Sequence, residues 1–255
     1  MNRIIDVHAH LADMQNLDQV IERAGEAGVS AIVAVGMTLK SNERTLQIAE
    51  EYKNGAVRIV PALGLHPWDL EEDSIQPTIA QIRENVGKAC GIGEVGLDYW
   101  LKDVKHSETK KNMQREAFRG VLALARQNDK PVTIHSRGAW EDCFNLVVDS
   151  RVKRAIFHWF SGPVELLRRI IECGFYVSAT PAVGYSREHR AAILETPLEN
   201  LLLETDSPVK YGSLESEPRH VIVTLEEVSK LKGMDPHKIS AAATENSLAL
   251  YGSTV

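Results

Sequence analysis

Residues 4–13 read IIDVHAHLAD, an apolar pair running into Asp6, His8 and His10. In an extended chain residues two apart share a face, so a strand ending here projects His8 and His10 together. Two imidazoles side by side can be half of a metal site, or two polar residues leaving a core. The other strand ends decide between these readings, and with them between the folds open to the chain.

Outward from this stretch, short apolar runs alternate with longer amphipathic ones. The pattern predicts strands at 4–8, 31–35, 57–63, 89–93, 132–135, 155–158, 175–179 and 201–204. Helical patterns fall at 17–27, 41–52, 75–86, 108–127, 139–148, 163–172 and 188–194, and two more follow the last strand at 217–231 and 236–251. Glycines at 28, 174 and 233 stand where helices stop. Eight strands alternating with helices in 255 residues suit a closed (β/α)8 barrel, and an open doubly wound sheet satisfies the same count. No repeat, low-complexity tract or composition break divides the chain, so residues 1–255 are expected to form a single α/β domain, a TIM barrel with an additional C-terminal helix.

The placement of polar residues favours the barrel. His8 and His10 end the first strand, His66 follows the third, Glu94 and Asp98 follow the fourth, His135 ends the fifth, His158 the sixth, and Glu204 and Asp206 the eighth. In a barrel these all gather at the carboxyl-end rim. Each alone has an ordinary structural reading: a hydrogen-bonded histidine, a turn-capping Asp206, a carboxylate held by a backbone turn. Together they would need five independent reasons for one placement. His106, His189, His220 and His237 lie in polar contexts and are read as surface residues.

Composition sets the other bounds. Charged residues are 25% and hydrophobic ones 44%, ordinary for a soluble globular chain. No apolar run is long enough to span a bilayer, no signal peptide is visible, and no obligate protein partner is evident. Cys90, Cys143 and Cys173 are widely spaced and sit among apolar residues, so they read as buried thiols in a reducing compartment, the cytoplasm. A net charge of −6 argues against a broad basic face for duplex binding, whereas bound metal ions could still supply local positive charge for a phosphate. Cys143 has no adjacent base, which argues against a nucleophile, and the glycines at 91, 93 and 96 do not form a dinucleotide fingerprint.

The motifs DVHAHL (6–11), GLHP (64–67), GEVGLDY (93–99), PVTIHSR (131–137), HWFSG (158–162), GFYVS (174–178) and LLLETDSP (201–208), in this order, resemble the TatD family of metal-dependent deoxyribonucleases in the amidohydrolase-like superfamily. The similarity runs from Asp6 to the ENSLALYG at 245–252. The resemblance implies a (β/α)8 barrel with two divalent ions at its rim. His8, His10 and Asp206 would hold one, His135 and His158 the other, and Glu94 would bridge them. His66 matches a position that contacts the substrate phosphate. Two departures stand out. Trp159 occupies the place of a common cysteine, and the segment VKYGSLESEPRH (209–220) is more acidic than the family's basic loop, keeping Glu217-Pro218 and leaving Lys210 as its main early cation.

Mixed imidazole and carboxylate ligands suit Zn²⁺, Mn²⁺ or Mg²⁺, the histidine count leaning away from magnesium alone. The first functional expectation is therefore a divalent-metal-dependent phosphodiesterase or deoxyribonuclease of exonuclease type, using a metal-activated water at a two-metal centre. Its substrate would be single-stranded DNA ends or a small phosphoester. Asp206 would orient the water or accept its proton, His66 would steady a phosphate oxygen, and Arg137 would help bind substrate or form a structural ion pair. Asp6 would act through a buried hydrogen bond behind His8. A hydrolase of a small ester, lactone or amide is the second reading, and a metal-stabilised binding protein the third.

Overall fold

A computed structural model describes residues 3–252 and Val255. Eight parallel strands, β1 (Ile4–Ala9), β2 (Val29–Val35), β3 (Arg58–Leu65), β4 (Gly91–Gly96), β5 (Val132–His135), β6 (Ala155–Phe157), β7 (Tyr176–Ala179) and β8 (Leu201–Leu203), hydrogen-bond in sequence order. Helices α1 (Leu17–Glu26), α2 (Leu39–Glu51), α3 (Glu72–Asn85), α4 (Glu108–Gln127), α5 (Trp140–Ser150), α6 (Val164–Glu172) and α7 (Arg187–Glu195) connect them, and α8 (Val221–Lys232) and α9 (Pro236–Tyr251) follow β8. Beyond the β8 end a parallel bridge pairs Ala9 with Ser207, and backbone bonds from Asp206 to His8 (2.9 Å) and from His10 to Ser207 (2.7 Å) nearly close the sheet into a barrel. An open doubly wound order is thereby excluded. No helix among the described residues is long and apolar enough to cross a membrane.

Strand alternation builds two buried layers. Ile32, Ala34, Ile59, Leu63, Ile92 and Ile134 pack outward with helix residues such as Phe118, Leu122, Leu167 and Ile170. Their neighbours Ala31, Val33, Val35, Val60, Ala62 and Leu202 form a second cluster with Leu250 and Tyr251 of α9, filling the interior. In β1 the register against β2 shifts between Asp6 and Ala9, so Val7 joins the inner cluster while Ala9 joins the outer one. That irregularity interrupts the strict alternation on which the His8–His10 reading began, and it leaves both imidazoles on the interior side at the mouth.

Several expectations are corrected. β4 begins two residues later than expected and runs to Gly96, because Val95 and Gly96 pair with Ile134 and His135 of β5, which places Glu94 within the strand. His189 is fully buried despite charged neighbours, its ring accepting from the Thr180 amide (3.1 Å) and donating to the Phe160 carbonyl (2.8 Å). Cys173 is exposed at the end of α6, whereas Cys90 and Cys143 are buried. The segment expected to be helical from 217 starts with a 3-10 turn, Pro218–His220, capped by Glu217. Just before it, residues without a strand pattern form a small hairpin of β9 (Lys210–Tyr211) and β10 (Leu214–Glu215).

Candidate metal centre

Seven polar residues meet at the barrel mouth, all buried: His8 and His10 from β1 and its end, His66 after β3, Glu94 in β4, His135 at the end of β5, His158 after β6 and Asp206 after β8. Glu94 lies at the middle. Its Oε2 is 3.2 Å from His8 Nε2 and 3.3 Å from His10 Nε2. Its Oε1 is 2.7 Å from His135 Nδ1, 2.7 Å from His158 Nε2 and 3.2 Å from His66 Nε2. One carboxylate thus divides the imidazoles into two groups. Gly64 lets β3 approach it, since a Cβ there would lie 2.3 Å from the Glu94 amide nitrogen.

Tautomers follow from each ring's outer partner. His10 Nδ1 faces the Val35 carbonyl at 3.2 Å, His158 Nδ1 faces Glu204 Oε1 at 3.2 Å, and His135 Nε2 faces Asp98 Oδ2 at 3.0 Å. Each partner is an acceptor, so that nitrogen carries the proton and the other turns a lone pair inward, the arrangement that orients metal-bound histidines. His66 is the reverse: its Nδ1 accepts from the Trp68 amide at 3.2 Å, leaving the proton on the inward Nε2. It can donate to a ligand there but offers no lone pair. His8 stacks on His158 at 4.3 Å, and its Nδ1 is buried without a partner.

The donor set fits a divalent ion. His8 Nε2 and His10 Nε2 lie 3.2 Å apart, and Asp206 Oδ1 is 3.4 and 3.3 Å from them. A tetrahedral ion with nitrogen and oxygen ligands at about 2.0–2.2 Å needs ligand atoms about 3.3–3.6 Å apart. His8, His10, Glu94 and Asp206 form one group able to hold a metal, and His8 with His158 and Glu204, and His66 with Glu94 and His135, form two more. The inward proton on His66 disfavours it as a ligand of the last.

Electrostatics point the same way. Burial would lift the Glu94 carboxyl, but His158, His66 and His8 around it and the hydrogen bond from His10 hold it well below the usual range. Asp206 is likewise lowered against its burial, first by the His10 hydrogen bond. Burial pulls His10 down, yet hydrogen bonds to Asp206 and Glu94 raise it to about 10. His135 is also raised against burial, by hydrogen bonds to Asp98 and Glu94, and His158 is raised by the charges of Glu94 and Glu204. Burial lowers His66 to about 4, only partly opposed by its contact with Glu94. The centre is built around positive charge, which protons supply when no ion does.

Behind the cluster, Asp6 accepts from the Thr205 amide (3.0 Å), the Thr205 hydroxyl (2.6 Å) and the His8 amide (3.3 Å), tying the DVHAH and ETDSP segments together. Asp206 itself adopts φ 49°, the left-handed region that aspartate tolerates better than most residues. Two supporting carboxylates had no role assigned from the sequence. Asp98 is fully buried, and although burial opposes it, hydrogen bonds from His135 and Trp68 and the nearby Arg137 hold it at about 2. Glu204 is fully buried behind His158. Their signal was position, an acid just beyond the ends of β4 and β8.

Not every candidate joins the cluster. Arg137 donates through Nε to Asp98 Oδ2 at 2.8 Å and lies 5.3 Å over the Trp68 ring, so the ion-pair alternative describes its contacts here. Lys210 is exposed in the β9–β10 hairpin and pairs with Glu215 at 2.6 Å. Glu217 is tied to Arg23, with 2.9 Å from Nε to Oε1, and packs the loop against α1.

Comparison with known proteins finds relatives along almost the whole chain. The family model described as TatD related DNase matches residues 5–252. The metal-dependent hydrolase YabD of Bacillus subtilis is 33% identical, covering 97% of this chain and 98% of its own length. The human deoxyribonuclease TATDN3 is 30% identical, covering 97% of this chain and 94% of its own. Among solved structures, YJJV, a TatD homologue from Escherichia coli, superposes with a TM-score of 0.86 at 25% identity, over 97% of each chain. A dihydroorotase from Campylobacter jejuni shares the fold alone, with a TM-score of 0.62 at 14% identity over 97% of this chain and 82% of its own. With the match running almost end to end, the chain belongs to the family of TatD-related DNases.

Proposed function

We propose that the protein is a divalent-metal-dependent phosphodiesterase that acts at the ends of DNA strands. The carrying observation is the division of labour on Glu94, whose two oxygens face separate imidazole groups. In this reading His8, His10, Asp206 and Glu94 would hold one divalent ion, and His135, His158 and Glu94 would hold a second. Two such ions would supply a lowered pKa for the attacking water and a clamp on the phosphate oxygens. The deoxyribonuclease relative directs the choice of a phosphodiester over a carboxyl ester or amide.

The chain's own groups perform the remaining work. Asp206, ionised through the neutral range, orients the attacking water and accepts its proton. His66, neutral and with its proton on the inward Nε2, donates to a non-bridging phosphate oxygen. Asp98 and Glu204 position His135 and His158, holding their tautomers fixed through turnover. Their burial keeps water from competing for those hydrogen bonds.

The test is hydrolysis of a single-stranded oligonucleotide after EDTA treatment and restoration with Mn²⁺, Zn²⁺ or Mg²⁺. Activity that disappears with chelation and returns with an ion is expected. Turnover of small esters or lactones with no phosphodiester cleavage under any ion would replace this reading.

A further inference from the structure

All four tryptophans of the chain lie within five residues of the carboxyl ends of successive strands: Trp68 after β3, Trp100 after β4, Trp140 after β5 and Trp159 after β6. Core packing does not explain the first two. Trp68 is 52% exposed and Trp100 57%, among the most exposed large apolar side chains described. Neither is loose. Asp98 accepts from the Trp68 indole Nε1 at 2.6 Å and, through its other oxygen, from the Trp100 amide at 3.0 Å. The same carboxylate orients His135. The Trp68 ring centroid is 4.8 Å from His66 and 5.8 Å from His135. Trp100 then meets Trp140 edge-on at 5.5 Å and lies against Gly138, where a Cβ would fall 2.3 Å from the indole. An aromatic ledge therefore runs outward from the metal-ligand cluster, anchored at its inner end by the carboxylate that orients His135.

The charge around the mouth makes the ledge informative. The chain carries −6, Arg137 is engaged by Asp98, and Lys210 is engaged by Glu215. Phosphate neutralisation by these cations is weak, so a strand reaching the centre needs another source of affinity. Exposed, pre-oriented indoles supply it for unpaired bases, because every base has a face to stack. A paired base inside a duplex has no free face to offer. We propose that Trp68 and Trp100 form a base-stacking ledge that positions an unpaired strand end, so that recognition rests on nucleobases more than on backbone charge. The inference rests on the phosphodiesterase reading for its substrate class, and it assigns that class a recognition element outside the metal ligands.

Equilibrium binding of an eight-nucleotide oligothymidylate with cleavage-resistant phosphorothioate links separates the two claims, because no turnover is read. The comparison ligand is an abasic oligonucleotide with the same length and linkages, both measured by fluorescence anisotropy in Mn²⁺. The wild-type protein is expected to bind the thymidylate about tenfold or more tightly than the abasic strand. Trp100→Ala closes most of that gap and Trp100→Phe keeps it. Raising salt from about 50 to 200 mM is expected to weaken binding by less than about tenfold, against the about 10³-fold or greater loss of a strand held by six or more phosphate contacts. Equal affinity for the two ligands in the wild type, no binding of either, or a gap preserved in Trp100→Ala overturns the ledge. Absence of hydrolysis in the separate oligonucleotide assay with restored metal, with the gap intact here, would count against the phosphodiesterase reading instead.

Discussion

The two ends of the barrel are built from the same strands and do opposite things. Within the wall, Ile5, Val7, Val33, Val60, Ala62 and Leu202 close on one another and on Leu250 and Tyr251 of the last helix, leaving an apolar plug. At the mouth the same strands end in buried imidazoles and carboxylates around Glu94. A buried charge is tolerated only when paired and hydrogen-bonded, and this cluster is paired to its limit. Its remaining unpartnered atoms, His8 Nδ1 and Glu204 Oε2, lie in it or directly behind it. The plug gains stability from packing, whereas the mouth gives some up to hold groups that favour a cation.

That contrast predicts substitutions with opposite signatures. At the mouth, Asp206→Asn is expected to lower turnover of an oligonucleotide by about a thousandfold, with an unfolding midpoint in urea close to that of the wild type. If the variant kept near-normal turnover, the assigned centre would be wrong. In the plug, Leu202→Ala should cost about 3 kcal/mol of stability through the cavity it leaves, with kcat for the folded fraction little altered. Denaturant unfolding and steady-state kinetics on the same preparation check both halves, and a kinetic collapse without destabilisation would erase the distinction. Between these extremes, Asp98→Asn touches no reacting atom yet should weaken metal affinity about 10- to 100-fold by releasing His135. Metal titration would show that effect, and an unchanged affinity would leave Asp98 a purely structural partner of Arg137 and Trp68.

The effect that is smallest at neutral pH, and grows only on acidification, concerns His189, a buried imidazole outside the ligand set. Burial lowers its pKa from 6.5 to about 4. The unfolded chain therefore binds a proton at this site below about pH 6.5 while the folded chain stays neutral, so stability falls as pH drops from about 6.5 to about 4. The full loss is about 3 kcal/mol. His189→Gln should flatten the pH dependence of unfolding in that window relative to the wild type. Identical slopes in the two proteins would show that the ring is protonated in the fold.

What the sequence made legible is the periodic part. His8, His10, Glu94, His135, His158 and Asp206 all sit at or next to strand ends that hydrophobic runs announce, and their convergence follows from parallel strands entering one rim. Harder to read were contacts made across the barrel. Nothing local to Asp98 says that it will hold Trp68, His135 and Arg137, because those partners lie 30 to 39 positions away. His189 sits between Glu188 and Arg190, and its neighbours hide that its own ring turns inward to the loops after β6 and β7. The β9–β10 hairpin has a weak local signal, a Gly212-Ser213 pair between Tyr211 and Leu214 with Gly212 at φ 62°.

The central claim is that Glu94 joins two metal positions, and metal stoichiometry tests it most directly. Equilibrium dialysis of the chelated protein against Mn²⁺ or Zn²⁺, followed by elemental analysis, should give two ions per chain for the wild type. The same measurement on Glu94→Gln should show both positions weakened together, because one carboxylate serves both groups. A single ion per chain in the wild type, or a Glu94→Gln protein that still binds two ions with unchanged affinity, would contradict the account.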